Sequence, residues 1–213
     1  MTPARLFFFR HGEVANAHEK RYNGQTDVAL SPRGEEQSAA MPSRLKAFLD
    51  SKAPAAVYSS DLVRSRVGAG HVAAAFGLTP IVVPELKERS FGHWEGLTWD
   101  EIQARYPSEW AAYMADVPGY TPPGGESFRG MSERILGAVR QIAARHAGEP
   151  VAMVIHGGVN RIILCDALGL DLAHIFRLDQ YYACLNIVEM YENTAVVRLM
   201  NSVDEGDAHR LIR

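Results

Sequence analysis

The chain has 213 residues, with 22 Lys and Arg against 25 Asp and Glu, eight His, two Cys and a formal net charge of −3. That length buries a sizeable core, and 47% apolar with 22% charged residues is globular usage rather than disorder. The slight acidity excludes a long polyanion such as nucleic acid as the expected partner. Cys165 and Cys184 without CxxC spacing exclude a disulfide framework or a zinc finger. No apolar run approaches the roughly 18–20 residues of a membrane span. Residues 1–10 lack the form of a secretory signal, so a cytoplasmic, membrane-free protein forming a single domain over residues 1–213 is expected.

Leu6 to Phe9 is an apolar, aromatic run that reads as a buried strand. Ser31-Pro32 reads as the N-cap and first position of a helix running to about Leu49, with Pro42 expected to kink it or delay its start. Ala55 to Ser59 predicts a second strand, followed by an Ala-rich helix from about Leu62 to Phe76 that Gly77 closes. Pro80 to Pro84 predicts a third, shorter strand. Thr98-Trp99-Asp100-Glu101 has the form of a capping box, and a further helical piece is expected near 108–115. Val117 to Gly125 holds three Pro and three Gly, so it reads as a loop able to serve as a lid or substrate loop. A long amphipathic helix, about 127–147, precedes an apolar strand at 151–155 and a helix at 159–168. The segments 186–191 and 194–200 predict an antiparallel hairpin. The alternation implies an α/β three-layer sandwich, its central, mostly parallel sheet flanked by helices, with an inserted helical or lid segment at about 96–125.

In such sheets ligands bind beyond the carboxyl ends of the strands. There the sequence places Arg10-His11-Gly12 after the first strand, Arg64 after the second, Glu88 after the third and His156-Gly157-Gly158 after the strand at 151–155. Each residue type alone says little; their joint position at one sheet edge is the signal. Guanidinium forks match phosphate oxygens, a neutral imidazole is a competent nucleophile at phosphorus, and a carboxyl group can protonate a departing alkoxide. A second imidazole, cationic beside phosphate, can stabilise the equatorial oxygens. The arginines supply the positive charge, so no metal or cofactor is expected. The three Trp read as packing residues; Tyr181-Tyr182 could line a pocket or simply pack, and packing is favoured.

These residues belong to longer stretches that resemble the histidine phosphatase superfamily, also called the phosphoglycerate mutase-like family. Phe9 to Glu13, Gly24 to Asp27 and Leu30 to Gly34 resemble its opening signature. Tyr58 to Ser65, Leu86 to Gly96, Pro123 to Ser127 and Val154 to Gly158 resemble its later ones, in family order. The resemblance implies a phosphoglycerate mutase-like fold, with His11 as the phosphorylated nucleophile and Glu88 as acid and base. It implies Arg10, Arg64 and His156 as the phosphoryl clamp, with Asn23 and Gly24 as further substrate contacts, while Gly157, as a glycine, lets its backbone N–H approach the anion closely. The family commonly has Asn six residues after the nucleophile; here Ala17 stands there and Asn16 one earlier, so Asn16 is the candidate. Val67-Gly68 replace a common Gln-Thr pair, and Ile155 stands where a small hydroxyl residue often precedes the second His. The short chain and its Gly92-His93-Trp94-Glu95-Gly96 stretch resemble the phosphatase branches. The expected activity is therefore hydrolysis of a small phosphorylated metabolite, with a cofactor-dependent phosphoglycerate mutase as the alternative. The hairpin edge leaves a homodimer open.

Overall fold

The computed structural model describes residues 2–49 and 52–204. Among these residues six strands form one sheet: β1 (Ala4–Arg10), β2 (Ala56–Ser59), β3 (Ile81–Val82), β4 (Pro150–Ile155), β5 (Leu185–Met190) and β6 (Ala195–Ser202). Their order is β3-β2-β4-β1-β5-β6. The first four strands pair in parallel, and the β5–β6 hairpin joins antiparallel against β1. The sheet is thus mixed, parallel in its larger part. The helices are α1 (Pro32–Lys46), α2 (Val63–Ala74), α3 (Trp99–Arg105), α4 (Pro107–Ala115), α5 (Phe128–Arg145) and α6 (Gly157–Leu168).

Side chains of a strand alternate between faces, and β1 shows how that builds the layers. Phe7 and Phe9 pack with Met41 and Leu45 of α1 and Val72 of α2, whereas Leu6 and Phe8 join a second core with Ile135 of α5 and Ile162 of α6. Helices therefore cover both faces, as the α/β pattern implied. Among the described residues no helix is long and apolar enough to cross a membrane.

Ser31 caps α1 by accepting from the Gly34 N–H at 3.0 Å, and Pro32 is the first helical residue as expected. Pro42 neither delays nor ends the helix. Its ring removes one backbone donor, but buried Ser38, Met41 and Leu45 hold that face on the sheet. Thr98 and Glu101 make both halves of the capping box. The third strand shrinks to Ile81–Val82, because the flanking prolines cannot donate to a ladder and Pro84 opens a 3-10 turn.

Parallel pairing brings the strand ends together. Arg10 is level with Ile155 and Ser59 with Val154, so the next residues along, His11, His156 and Ser60, emerge at one edge.

Candidate active site

His11 and His156 stand with ring centroids 5.2 Å apart, nearly edge to face. His11 is 5% exposed and His156 fully buried. The Nδ1 of His11 lies 2.7 Å from the Gly12 carbonyl oxygen. A carbonyl only accepts, so Nδ1 carries the proton and Nε2 keeps its lone pair. Burial, reinforced by Arg64 and then Arg10, holds His11 well below the ordinary imidazole value. The same causes, with His11 itself contributing, depress His156. Both shifts favour the neutral rings, whereas the expectation from the sequence is a cationic His156 beside phosphate.

Arg64, 2% exposed, occupies the first turn of α2 and donates to Thr26 O at 2.8 Å and Gly24 O at 2.6 Å. It thereby ties the loop around Asn23 and Gly24 to the site. Arg10 lies 3.8 Å over the Tyr182 ring, donates to Gln180 O at 2.7 Å, and leaves its buried Nε without a partner. Glu88 is held at both oxygens: Oε1 accepts from the Arg89 N–H at 2.8 Å and Oε2 from the Gly158 N–H at 3.0 Å. These groups line a cavity of about 240 Å³, whose wall includes Arg10, His11, Asn23, Gly24, Arg64 and Glu88.

Three candidates stand behind that wall rather than on it, and one of them is the fully buried His156. Asn16 makes a reciprocal amide pair with Asn23, at 2.8 and 3.0 Å, so its position fixes Asn23. Gly157 begins α6 beside Arg10 and Arg161. Segment 96–125, expected to supply a lid or substrate loop, contributes no wall residue of this cavity. Its loop instead offers the Tyr120 carbonyl to buried Arg89, while Tyr120 stacks on Trp94.

Arg161 and Ser60 join the site without having been expected there, and Tyr182 joins it against the favoured packing reading. Tyr182 lines the cavity 5.7 Å from the His11 ring, rather than serving only as packing. Ser60 holds His156. Arg161 follows Gly157 by four residues, one helical turn, and that spacing was the available signal. Among the described residues no cluster of three or more His, Cys, Asp or Glu side chains is placed to hold a metal ion.

Residues 6–203 match the model of the histidine phosphatase superfamily, branch 1. The chain belongs to that superfamily. It is 39% identical over 164 residues to a metal-independent phosphoserine phosphatase of Arabidopsis thaliana, covering 74% of this chain and 66% of that one. It is 28% identical to phosphoserine phosphatase 1 of Hydrogenobacter thermophilus, over 92% of both chains. Among solved structures, mycobacterial glucosyl-3-phosphoglycerate phosphatase with VO3 superposes with a TM-score of 0.82 at 28% identity, covering 94% of this chain and 100% of that one. The chain spans 54% to 66% of the length of several curated relatives that it matches. Superfamily membership and the mixed, helix-flanked sheet bear out the family and fold expected from the sequence.

Proposed function

We propose that the chain is a phosphomonoesterase acting on a small phosphorylated metabolite through a phosphohistidine on His11. The observation that carries this reading is the His11–Gly12 hydrogen bond, which leaves the Nε2 lone pair on a neutral ring in an arginine-lined cavity. Nε2 attacks phosphorus as the bond to the leaving oxygen breaks, and Glu88 passes its proton to the departing alkoxide. Arg10, Arg64 and His156 balance charge on the phosphoryl oxygens, with Asn23 and Gly24 completing the wall. Water then attacks the phosphohistidine, Glu88 takes its proton, and the P–N bond breaks to release inorganic phosphate. Relatives named as phosphatases support the reading, and one is named metal-independent.

The test is release of inorganic phosphate from phosphomonoesters, with acid quenching to trap an acid-labile phosphoenzyme. His11→Ala should lower turnover by at least about 10³-fold and abolish the phosphoenzyme. EDTA should leave turnover intact. Retained turnover in His11→Ala would remove the nucleophile, and rapid isomerisation of 3-phosphoglycerate without net phosphate release would make the chain a mutase.

A further inference from the structure

Arg161 is a cation of the cavity wall that the proposed chemistry leaves unused. A Cβ placed on Gly157 would stand 3.3 Å from both Arg10 Nε and Arg161 Nη1, so two guanidiniums flank one glycine at the edge of the site. Burial and the nearby charge of Arg10 both disfavour the cationic form of Arg161. Its compensation within the protein is partial. Nε donates to the Leu178 carbonyl at 2.7 Å, but Asp179, its ion-pair partner, is 3.7 Å from Nη2 and its side chain is 64% exposed. Among the described residues neither terminal nitrogen of Arg161 makes a hydrogen bond.

Arg21 and Arg89, the other wall arginines outside the proposed clamp, have partners of their own, although the buried Nη1 of Arg89 has none. Arg21 pairs with Glu19 and Glu101. Arg89 donates to the carbonyls of Glu126 and Tyr120 and lies 4.2 Å over the Phe128 ring. A phosphomonoester dianion balances Arg10 and Arg64, which leaves the terminal nitrogens of Arg161 at the cavity wall with the charges of Glu88 and Asp179 nearby but, among the described residues, no carboxylate in hydrogen-bond contact. A planar fork with two terminal nitrogens available is matched by a carboxylate.

We propose that Arg161 forms a carboxylate subsite, so that the leaving group of the substrate carries a carboxylate within a few bonds of the phosphate ester. This rests on the phosphatase reading for where the phosphate lies. A cavity of about 240 Å³ is small for a ligand site, which suits a compact phosphorylated acid.

The test compares ligands that differ at the carboxylate: O-phosphoserine against O-phosphoethanolamine, and 3-phosphoglycerate against glycerol 3-phosphate. Calorimetry on the full chain carrying His11→Ala measures binding without consuming the ligand. In at least one pair the carboxylate member should bind about tenfold or more tightly. Adding Arg161→Met should collapse that preference to about unity, and Arg161→Lys should retain part of it, since a lysine keeps the charge but loses the fork. The lysine variant also decides the matter if the methionine variant fails to melt cooperatively. Absence of a preference in both pairs overturns the subsite. So does a preference that survives in both variants, including equal weakening of both members of a pair, which marks a contact to the phosphoryl group. Failure of the phosphatase reading shows separately, as no phosphate release by the chain with His11 intact.

Discussion

The Nε2 of His156 lies 2.7 Å from Ser60 Oγ, while its Nδ1 is buried without a partner. Ser60 Oγ also accepts from the Leu62 N–H at 3.3 Å, and its own hydrogen can be given to Nε2. In that tautomer the imidazole proton resides on Nδ1, the nitrogen that an anion would satisfy. Ser60→Ala strands Nε2 in a dry site, where an unmade hydrogen bond costs about 1–3 kcal/mol. The variant should unfold at lower denaturant and lose about tenfold or more in kcat/KM, read by urea melts and phosphate release. Unchanged kinetics would mean that the hydroxyl does not set the imidazole.

Two glycines of the site should respond to alanine in opposite ways. On Gly158 a Cβ would stand 2.3 Å from Glu88 Oε1, the far end of a flexible side chain that can swing away. Gly158→Ala should therefore fold well but displace the carboxylate, with a loss in kcat of about 10²-fold, the lower end of what a positioned acid contributes. On Gly12 a Cβ would stand 2.2 Å from the Gly34 carbonyl oxygen, which is backbone held in the first turn of α1. Gly12→Ala should lose stability first, seen as a lowered Tm before any kinetic comparison is made.

The sequence made the site legible as a set of residues and not as an arrangement. Apolar strand runs followed at once by Arg10-His11 and by His156 mark the carboxyl edge, because parallel strands must all end there. What composition does not encode is the register, Arg10 level with Ile155, that sets the two imidazoles 5.2 Å apart. Nor does it show that Asn16 binds the amide of Asn23 instead of facing the cavity. The Pro- and Gly-rich loop 117–125 has a lid's composition, yet its carbonyl chemistry serves Arg89, a contact between segments far apart in sequence. In the sequence Tyr182 stands between a pocket and a packing role for a related reason: a tyrosine beside a strand packs in most proteins, and only the fold sets it under Arg10.

Glu88→Gln can keep one of the two backbone hydrogen bonds through its amide oxygen, turns its NH2 toward the other N–H, and has no carboxylic proton to give. Acid catalysis matters most when the leaving alkoxide is basic. With an alkyl phosphate the variant should lose about 10²–10⁴-fold in kcat/KM, and with p-nitrophenyl phosphate, whose leaving group needs no protonation, much less. Equal losses on the two substrates would assign Glu88 to binding rather than to proton transfer.

Stability against pH follows from the two buried imidazoles. Burial, then Arg64, holds both His11 and His156 neutral in the folded chain, whereas an unfolded histidine titrates near 6.5. Below about pH 6.5 the unfolded chain binds protons that the folded chain refuses, so stability falls as pH drops, and the fall ends only where the folded imidazoles themselves titrate. For two such groups the limiting slope is about 2.7 kcal/mol per pH unit. Urea denaturation between pH 7.5 and 5.5 should show it, and His156→Gln should remove up to half of that slope. Inorganic phosphate should flatten it as well, since an anion beside the rings favours their charged form in the folded state. A pH dependence that phosphate leaves unchanged or steepens would mean that the anion does not bind beside these histidines.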